Sequence, residues 1–372
     1  KIYKEVESIL DQEDGDLLYA LSKIEPVIKN TNELEANLLK ARIYNGLKEY
    51  EKSETEFLNL IPLDSLNPLI YARYAELLDN QEKYEKSIEY FSKAIAIDST
   101  EAYFYYNRTT PYEALELFDK AEADYLKAIE LDPDYDGSYY NLGILYGQNL
   151  NEPEKAIAEF LKALEINPES STALNNIGVT YQNNLENNEK ALEYYFKAAK
   201  INSLNPYPYF NSAIIYNNQE KYEKALEYYS KAIAIDSTVS DFYYNRATPY
   251  EVLELYDKAE ADYLKAIELD PDDEGSYINL GDLYSDNLNE PEKAIAEFLK
   301  ALEINPESST ALNNIGVTYQ NNLENNEKAL EYYFKAAKID SLKPYPYQNI
   351  ASIYNDQEKY KKSIEYYSKA IA

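Results

Sequence analysis

Asparagine recurs at a regular interval along this sequence, and its spacing is the clearest sign of binding chemistry. A side-chain amide both donates and accepts hydrogen bonds, so a row of amides can recognise polar groups without carrying out a reaction. The sequence contains no His and no Cys, which excludes Ser-His-Asp and Cys-His nucleophiles, the usual structural zinc sites and disulfides. The row, termed the asparagine ladder, has members 34 or 35 residues apart: Asn107, Asn141, Asn176, Asn211, Asn245, Asn279, Asn314 and Asn349.

The residues around each ladder position predict two amphipathic helices that hold it in place. Tyr139, Leu142 and Tyr146 recur at spacings of three, four and seven residues, which places them on one face of a first helix. Ala156 and Phe160 follow the same rule in a second helix. Two such helices joined by a short polar turn form a hairpin whose apolar faces are too broad to cover each other, so neighbouring hairpins must stack.

The repeating pattern resembles that of the tetratricopeptide repeat (TPR) family. The family motif has an aromatic residue, a Leu-Gly pair and a Tyr in the first helix, then Ala, an aromatic residue, Ala and Pro; here Gly143, Ala156, Phe160 and Pro168 stand at these offsets. The resemblance implies an all-α fold, a right-handed superhelical solenoid of about ten to eleven helix-turn-helix hairpins. Residues 1–66 fit less well and are predicted to be diverged hairpins, continuous with a regular array over residues 67–372.

The resemblance also suggests a role for the asparagine ladder. In TPR proteins the matching position lines the concave groove and hydrogen-bonds the backbone of an extended peptide, and the preceding Tyr106, Tyr140 and Tyr244 would join it there. Lys does not occupy these preceding positions, so a clamp for a carboxylate is not expected. The alternative is that the ladder only joins adjacent hairpins.

A longer period of 138 residues, or four hairpins, lies above the hairpin repeat. Fifty-three residues that begin at Asn149 recur unchanged from Asn287. Arg108 and Arg246 replace the residue that matches Leu142, and a proline follows each of them inside the first helix. Because proline removes a backbone donor, a kink or short break is predicted there.

The two ends of the sequence suggest self-association. The final helix has no polar capping helix after it, which leaves a stacking surface open unless the natural chain continues. An amphipathic first helix offers a different surface that would stack on it, and repetition of such a heterologous contact gives a ring, filament or tube. The residues of this predicted end-to-end interface are Ile2, Val6, Ile9, Leu10, Ile364, Tyr367, Ala370 and Ile371.

The net charge and the tyrosine content narrow the class of partner that this chain can bind. The 36 Lys and Arg residues against 67 Asp and Glu residues give a net charge of −31, which disfavours nucleic acid and anionic lipid surfaces. The 42 tyrosines exceed what a core needs, since adjacent tyrosines on a helix point in different directions, and Tyr favours protein interfaces. The absence of an initiator Met is compatible with a processed extracellular chain or with a longer one, so the cellular location stays open.

One acidic turn resembles a metal-binding loop. Residues 132–137 read D-x-D-x-D-G, as at the start of an EF-hand, but the twelfth position is Gly143 where a bidentate Glu is required. A turn between hairpins is therefore favoured over calcium, and no cofactor is predicted.

These observations predict a non-catalytic scaffold for protein–protein interaction. Near-identical duplication favours end-to-end self-association into an extended assembly. The alternative is a peptide-binding adaptor that uses the asparagine-lined groove. A third hypothesis, the recognition arm of an enzyme, has no support within these residues.

Overall fold

The computed structural model describes residues 2–10, 12, 15–31 and 34–371, with only the backbone of residues 30 and 31. Lys1 and Ala372, the first and last residues of the predicted regions 1–66 and 67–372, lie outside the described residues. The chain packs as two compact units, residues 1–190 and 191–372. The helices of the first unit are α1 (Ile2–Leu10), α2 (Leu17–Thr31), α3 (Leu34–Gly46), α4 (Tyr50–Leu60), α5 (Pro68–Asn80), α6 (Tyr84–Ile97), α7 (Ala102–Ala114), α8 (Phe118–Leu131), α9 (Asp136–Ile144), α10 (Pro153–Ile166) and α11 (Ser171–Asn183).

The second unit has the same construction. It contains most of α12 (Asn188–Ile201), followed by α13 (Tyr207–Asn218), α14 (Tyr222–Ile235), α15 (Ser240–Val252), α16 (Tyr256–Leu269), α17 (Glu274–Asp282), α18 (Pro291–Ile304), α19 (Ser309–Asn321), α20 (Asn326–Ile339), α21 (Pro344–Asp356) and α22 (Tyr360–Ile371). Every regular element in the described residues is helical. The predicted all-α fold is thus confirmed.

Consecutive helices pack as hairpins, and each hairpin packs on the next within its unit. In the first unit α3 pairs with α4, α5 with α6, α7 with α8 and α9 with α10; in the second the pairs run from α13 with α14 to α21 with α22. The amino-terminal hairpins differ in detail, because α1 packs on both α2 and α3.

A small residue in the first helix makes room for an aromatic ring from the second. At Gly143 in α9 an added Cβ would lie 2.7 Å from Cε1 of Phe160 in α10, a distance that no carbon pair tolerates. Phe160 is buried, as is Ala156 one turn earlier. The close approach that the sequence pattern predicts is therefore the basis of the hairpin.

The turn between the helices of a hairpin contains one residue with positive φ. This left-handed conformation closes the first helix and is usually taken by Gly or Asn. Here φ lies between 48° and 60° at Lys48, Glu82, Glu116, Asn151, Glu186, Glu220, Glu254, Asn289, Glu324 and Glu358. A bulky residue at this position is strained, so most of these turns depend on the packing of the helices on either side.

Two first helices end in a π-helical turn, which takes up an extra residue of the 35-residue spacing. These turns are Leu145–Asn149 after α9 and Leu283–Asn287 after α17. The next hairpin uses carbonyls of the π turns: Asn184 Nδ2 donates to Gly147 O at 3.3 Å, and Asn322 Nδ2 to Ser285 O at 2.9 Å.

The helix break predicted at the prolines is not found. Helix α7 continues through Pro111 and α15 through Pro249. Each proline lies in the last turn of its helix, where only one backbone hydrogen bond is lost.

Candidate functional site: the ladder face

The asparagine ladder lies on the first helices of the regular hairpins, α7 to α21, and its side chains are partly exposed. Three members donate through Nδ2 to a tyrosine hydroxyl of the preceding hairpin: Asn141 to Tyr106 at 2.7 Å, Asn176 to Tyr140 at 2.9 Å and Asn279 to Tyr244 at 2.9 Å. The predicted tyrosines and asparagines therefore do meet, but as partners of one another. We term this surface, taken separately in each of the two units, the ladder face.

The other ladder residues take different partners. Asn107 and Asn245 donate to carbonyls of their own helices, Tyr103 O at 2.7 Å and Asp241 O at 2.8 Å. Asn314 donates to Asp282 Oδ1 at 2.8 Å and Asn349 to Asn313 Oδ1 at 3.0 Å, both in the preceding hairpin. Asn211 lies at the matching position of α13 and is partly exposed. In five of the hairpins a ladder residue thus hydrogen-bonds to the preceding hairpin.

A cleft of about 400 Å³ opens at the amino-terminal end of α7. It is lined by Ala102, Tyr103, Tyr106, Asn107, Asp132, Tyr135 and Ser138. The rings of Tyr106 and Tyr135 stand at 82° with centroids 5.3 Å apart. Burial raises the pKa of Tyr106, so its phenol stays protonated at neutral pH.

Sequence reasoning placed Tyr106 and Asn107 on this surface but missed Tyr103 and Tyr135. The signal was available in the internal repeat, because Asp241 and Asp273 stand at the matching positions 138 residues later.

A second cleft of about 330 Å³ lies beside the π turn of α9. Its walls include Gly143, Gly147, Asn176, Thr180 and Asn184. Because Gly147 has no side chain, the backbone of the π turn is reachable there; the matching residue in the second copy is Ser285.

Comparison of the two copies, residues 84–221 and 222–359, shows where the repeat has diverged. Helices α10 and α12 are identical to α18 and α20, and no substitution in a second helix changes charge. The first helices and the turns before them carry the chemical changes, including Tyr103 to Asp241, Tyr135 to Asp273, Ile144 to Asp282 and Gln148 to Asp286. The second helices are therefore nearly unchanged, whereas the changes of charge lie in the first helices and the turns next to them.

The second copy concentrates negative charge at Asp282. The pKa of Asp282 is raised to about 7, mainly by burial and also by the carboxylates of Asp286 and Glu251, against the hydrogen bond from Asn314, which lowers it. At the matching site of α9 stands Ile144, which carries no charge.

Arg108 and Arg246 have a structural role. Arg108 donates from Nε and Nη2 to Asp124 at 2.7 and 2.9 Å, and Arg246 makes the same pair of bonds to Asp262 at 2.7 and 2.8 Å. Both aspartates are buried. Each arginine thus joins the first helix of its hairpin to the second through a buried ion pair.

The predicted end-to-end interface needs a correction at the amino end. Val6 is fully buried against α2 and α3, and Ile9 and Leu10 pack on the same cluster, while Ile2 is 40% exposed. The apolar face of α1 is already covered by its own chain because α1 packs on two helices.

The carboxyl-terminal residues are arranged differently. Ile364, Tyr367 and Ile371 of α22 are 66%, 42% and 87% exposed, and Ala370 is partly exposed. This apolar face of α22 is open to solvent.

The acidic residues before α9, which resemble the start of an EF-hand loop, form a turn in both copies. Asp132 Oδ1 accepts from the backbone N of Asp134 at 3.3 Å, and Asp270 does the same for Asp272 in the second copy. Within the described ranges, no three Asp or Glu residues converge as a metal site would require. No helix in the same part of the chain is long and apolar enough to cross a membrane.

The hairpins, the small-residue contacts and the ladder face together define a helical-repeat interaction scaffold. Family models described as tetratricopeptide repeat or TPR repeat match residues 69–101, 114–149, 137–170, 159–193, 206–239, 240–273, 262–296, 297–331 and 345–372. The chain belongs to the tetratricopeptide repeat family. A search of curated proteins finds no match.

The chain is also similar to several solved structures. The chain is similar to YrrB, a TPR protein with an unusual peptide-binding site, with 29% identity over 49% of this chain and 92% of that one (TM-score 0.42). It is similar to MamA with 24% identity over 44% and 94% (TM-score 0.41). The human IFIT1 dimer with m7Gppp-AAAA is 15% identical over 97% and 95% (TM-score 0.50), a likeness of fold alone.

Proposed function

We propose that this protein is a non-catalytic scaffold that binds a segment of a partner protein along the ladder face. The observation that carries the proposal is the pattern of divergence between the two copies. The second helices are unchanged or changed without any change of charge, whereas the ladder face exchanges aromatic and apolar residues for carboxylates. Changes of charge gathered in the first helices and their turns are what selection for different contacts there would leave.

The open clefts support the same function. Both clefts lie where first helices meet the following hairpin, and each has apolar walls with a few amide or hydroxyl groups. Extended peptides are held in such grooves by backbone hydrogen bonds, with side-chain pockets giving specificity. Asn141 and Asn176 each donate a hydrogen bond from Nδ2 to a tyrosine hydroxyl. Their Oδ1 atoms can then accept from a peptide N–H.

The test is peptide selection on the whole chain followed by substitution. Peptides selected from a random displayed library should bind the wild type, and Asn141→Ala and Asn176→Ala should each weaken binding by about 1 kcal/mol, with helicity unchanged. Tyr106→Phe is the matched control, since it removes the hydroxyl that Asn141 contacts but keeps the amide. If selection yields no peptide, or if the Ala variants lower the melting temperature as Tyr106→Phe does and spare affinity, the ladder is structural.

A second candidate function is self-association into an extended assembly. The exposed apolar residues of α22 favour it, and the burial of Val6 means that the receiving surface is not the face of α1. A subunit with net charge −31 repels its copies, so association should strengthen with added salt.

Sedimentation of the full chain at rising salt tests this second candidate. We expect larger species at high salt for the wild type and not for Ile364→Glu/Ile371→Glu, which places charges on the exposed face without touching the core. A monomer at high protein and salt concentration would rule out self-association and leave the scaffold proposal intact.

A further inference from the structure

The cleft at α7 has three aromatic walls. Tyr103 and Tyr106 come from α7, and Tyr135 comes from the turn before α9. Gly137 makes room for the third ring, because an added Cβ there would lie 2.6 Å from Cζ of Tyr135. Tyr135 is 45% exposed, so its ring stands at the mouth and the cleft is open to a side chain from outside.

Two polar groups in the cleft can accept hydrogen bonds. Asn107 uses Nδ2 on Tyr103 O, so its Oδ1 is an acceptor in the wall. Asp132 accepts from Asp134 N through Oδ1, and its carboxylate carries the negative charge of the site. Aromatic faces joined to a carboxylate and an amide oxygen suit a cation that also donates hydrogen bonds.

The surroundings favour a positive ligand as well. The guanidinium of Arg73 lies 4.8 Å from the ring centroid of Tyr103, but it does not line the cleft, and its charge is paired with Glu76 at 3.0 Å. The net charge of −31 attracts cations to the whole surface and repels anions.

We propose that the cleft formed by Tyr103, Tyr106, Tyr135, Asn107 and Asp132 binds the ammonium group of a lysine side chain on the partner protein. The rings surround the end of the lysine stem, Asp132 and Asn107 Oδ1 accept from Nζ, and the side chain enters past Tyr135. This site assumes the partner segment of the proposed function and names the residue that the segment must present.

The second copy supplies an internal comparison. Tyr244 and Asn245 keep the positions of Tyr106 and Asn107, but Asp241 and Asp273 replace the two other tyrosines. The Asp273 carboxylate accepts from the backbone N–H groups of Gly275 and Ser276 at 3.2 and 2.9 Å, so it caps α17. The second copy therefore retains negative charge with only one of the three aromatic walls, and any attraction it has for lysine should be screened by salt.

Binding is measured on the full chain by saturation-transfer NMR with short probes. The probes are an acetylated, amidated pentapeptide with lysine between glycines, the same peptide with norleucine, and free n-butylammonium. We expect the lysine peptide to bind about tenfold more tightly than the norleucine peptide, and to do so at high salt as well. Equal binding of lysine and norleucine would show a merely apolar cleft. Free n-butylammonium binding as tightly as the lysine peptide would assign the site to small amines instead and overturn the protein partner.

Paired substitutions separate the contribution of each tyrosine ring from that of its hydroxyl. Tyr135→Leu and Tyr103→Leu should weaken lysine-peptide binding several-fold, while Tyr135→Phe and Tyr103→Phe should leave it within twofold, because the contact depends on the ring face. The hydroxyl of Tyr103 is buried without a partner, so its removal should not disturb the fold. If the Leu and Phe variants bind alike, the aromatic site is refuted.

A gain of function completes the test. Asp241→Tyr/Asp273→Tyr should raise the stoichiometry of lysine-peptide binding at high salt from one to two, since it rebuilds the walls around Tyr244. An unchanged stoichiometry, with melting temperature preserved, would contradict the proposal. These probes report on the cleft alone, so their failure leaves the peptide-selection test of the ladder face standing.

Discussion

The hairpin α9–α10 and its counterpart α17–α18 have the same second helix, residue for residue, and different first helices. Both keep a glycine against a phenylalanine ring, at Gly143 and Gly281. Ile144 becomes Asp282, Gly147 becomes Ser285, and the uncapped Tyr135 becomes the capping Asp273. The comparison teaches that the interior of the repeat constrains sequence tightly, while the ladder face is free to change its chemistry.

The largest effect is expected at the ion pair that both copies retain. Asp124→Ala and Asp262→Ala should each cost about 3 to 5 kcal/mol, because each leaves a largely buried arginine without its carboxylate partner. Urea denaturation followed by circular dichroism measures the loss. Arg108→Leu/Asp124→Ala should recover most of it, since Leu142 fills the same position elsewhere. Clearly unequal losses at the two aspartates would show that the shared framework is not equivalent in the two copies.

The glycines of α9 and its π turn should respond in opposite directions. Gly143→Ala should cost about 1 to 3 kcal/mol, since its Cβ would overlap Phe160. Gly147→Ala is the matched control: its Cβ would lie 3.4 Å from that of Ala156, and it should be neutral or stabilise by up to about 1 kcal/mol through reduced chain entropy. Thermal denaturation measures both changes. An unchanged melting temperature for Gly143→Ala would contradict the close packing of Gly143 against Phe160.

Asp282 should make the second copy sensitive to pH. Its folded pKa of about 7 exceeds the value near 4 of an unfolded aspartate. A raised carboxyl pKa means that the folded state disfavours the ionised carboxylate. The contribution of Asp282 to the free energy of unfolding is therefore most favourable below pH 4, where the carboxyl is protonated in both states, and it is lost as the pH rises to about 7. Asp282→Ile, which restores the residue of the first copy, should stabilise by about 2 kcal/mol at pH 8, with allowance for solvent screening, and much less at pH 4. Melting temperatures of both proteins across this range test the difference; parallel curves would remove Asp282 as the cause.

The smallest effect is expected at the helix caps. Tyr135→Asp should stabilise by about 1 kcal/mol, because an aspartate there can accept from the first backbone N–H groups of α9, as Asp273 does in α17. Asp273→Ala should lose a similar amount. A destabilised Tyr135→Asp would mean that the Tyr135 ring contributes more by packing than a cap does.

Sequence periodicity was sufficient to predict the hairpins but not the contacts of the ladder face. The helical positions of Gly143 and Phe160 follow from their spacing, and the structure brings the Phe160 ring against Gly143. The ladder was also placed on the first helices correctly. The partners of Asn141 and Asn176 were not predictable, since they are side chains of the preceding hairpin brought near only by stacking.

By itself the sequence determined the helical hairpin, its period and its buried framework, because the spacing of small and aromatic residues is a local property of a helix. Only the tertiary structure decided that Val6 is buried rather than open for assembly, that Arg108 pairs with Asp124, and that Tyr103 and Tyr135 share a cleft. These outcomes depend on how successive helices stack, and residues far apart in sequence become neighbours only when the packed hairpins bring their surfaces together.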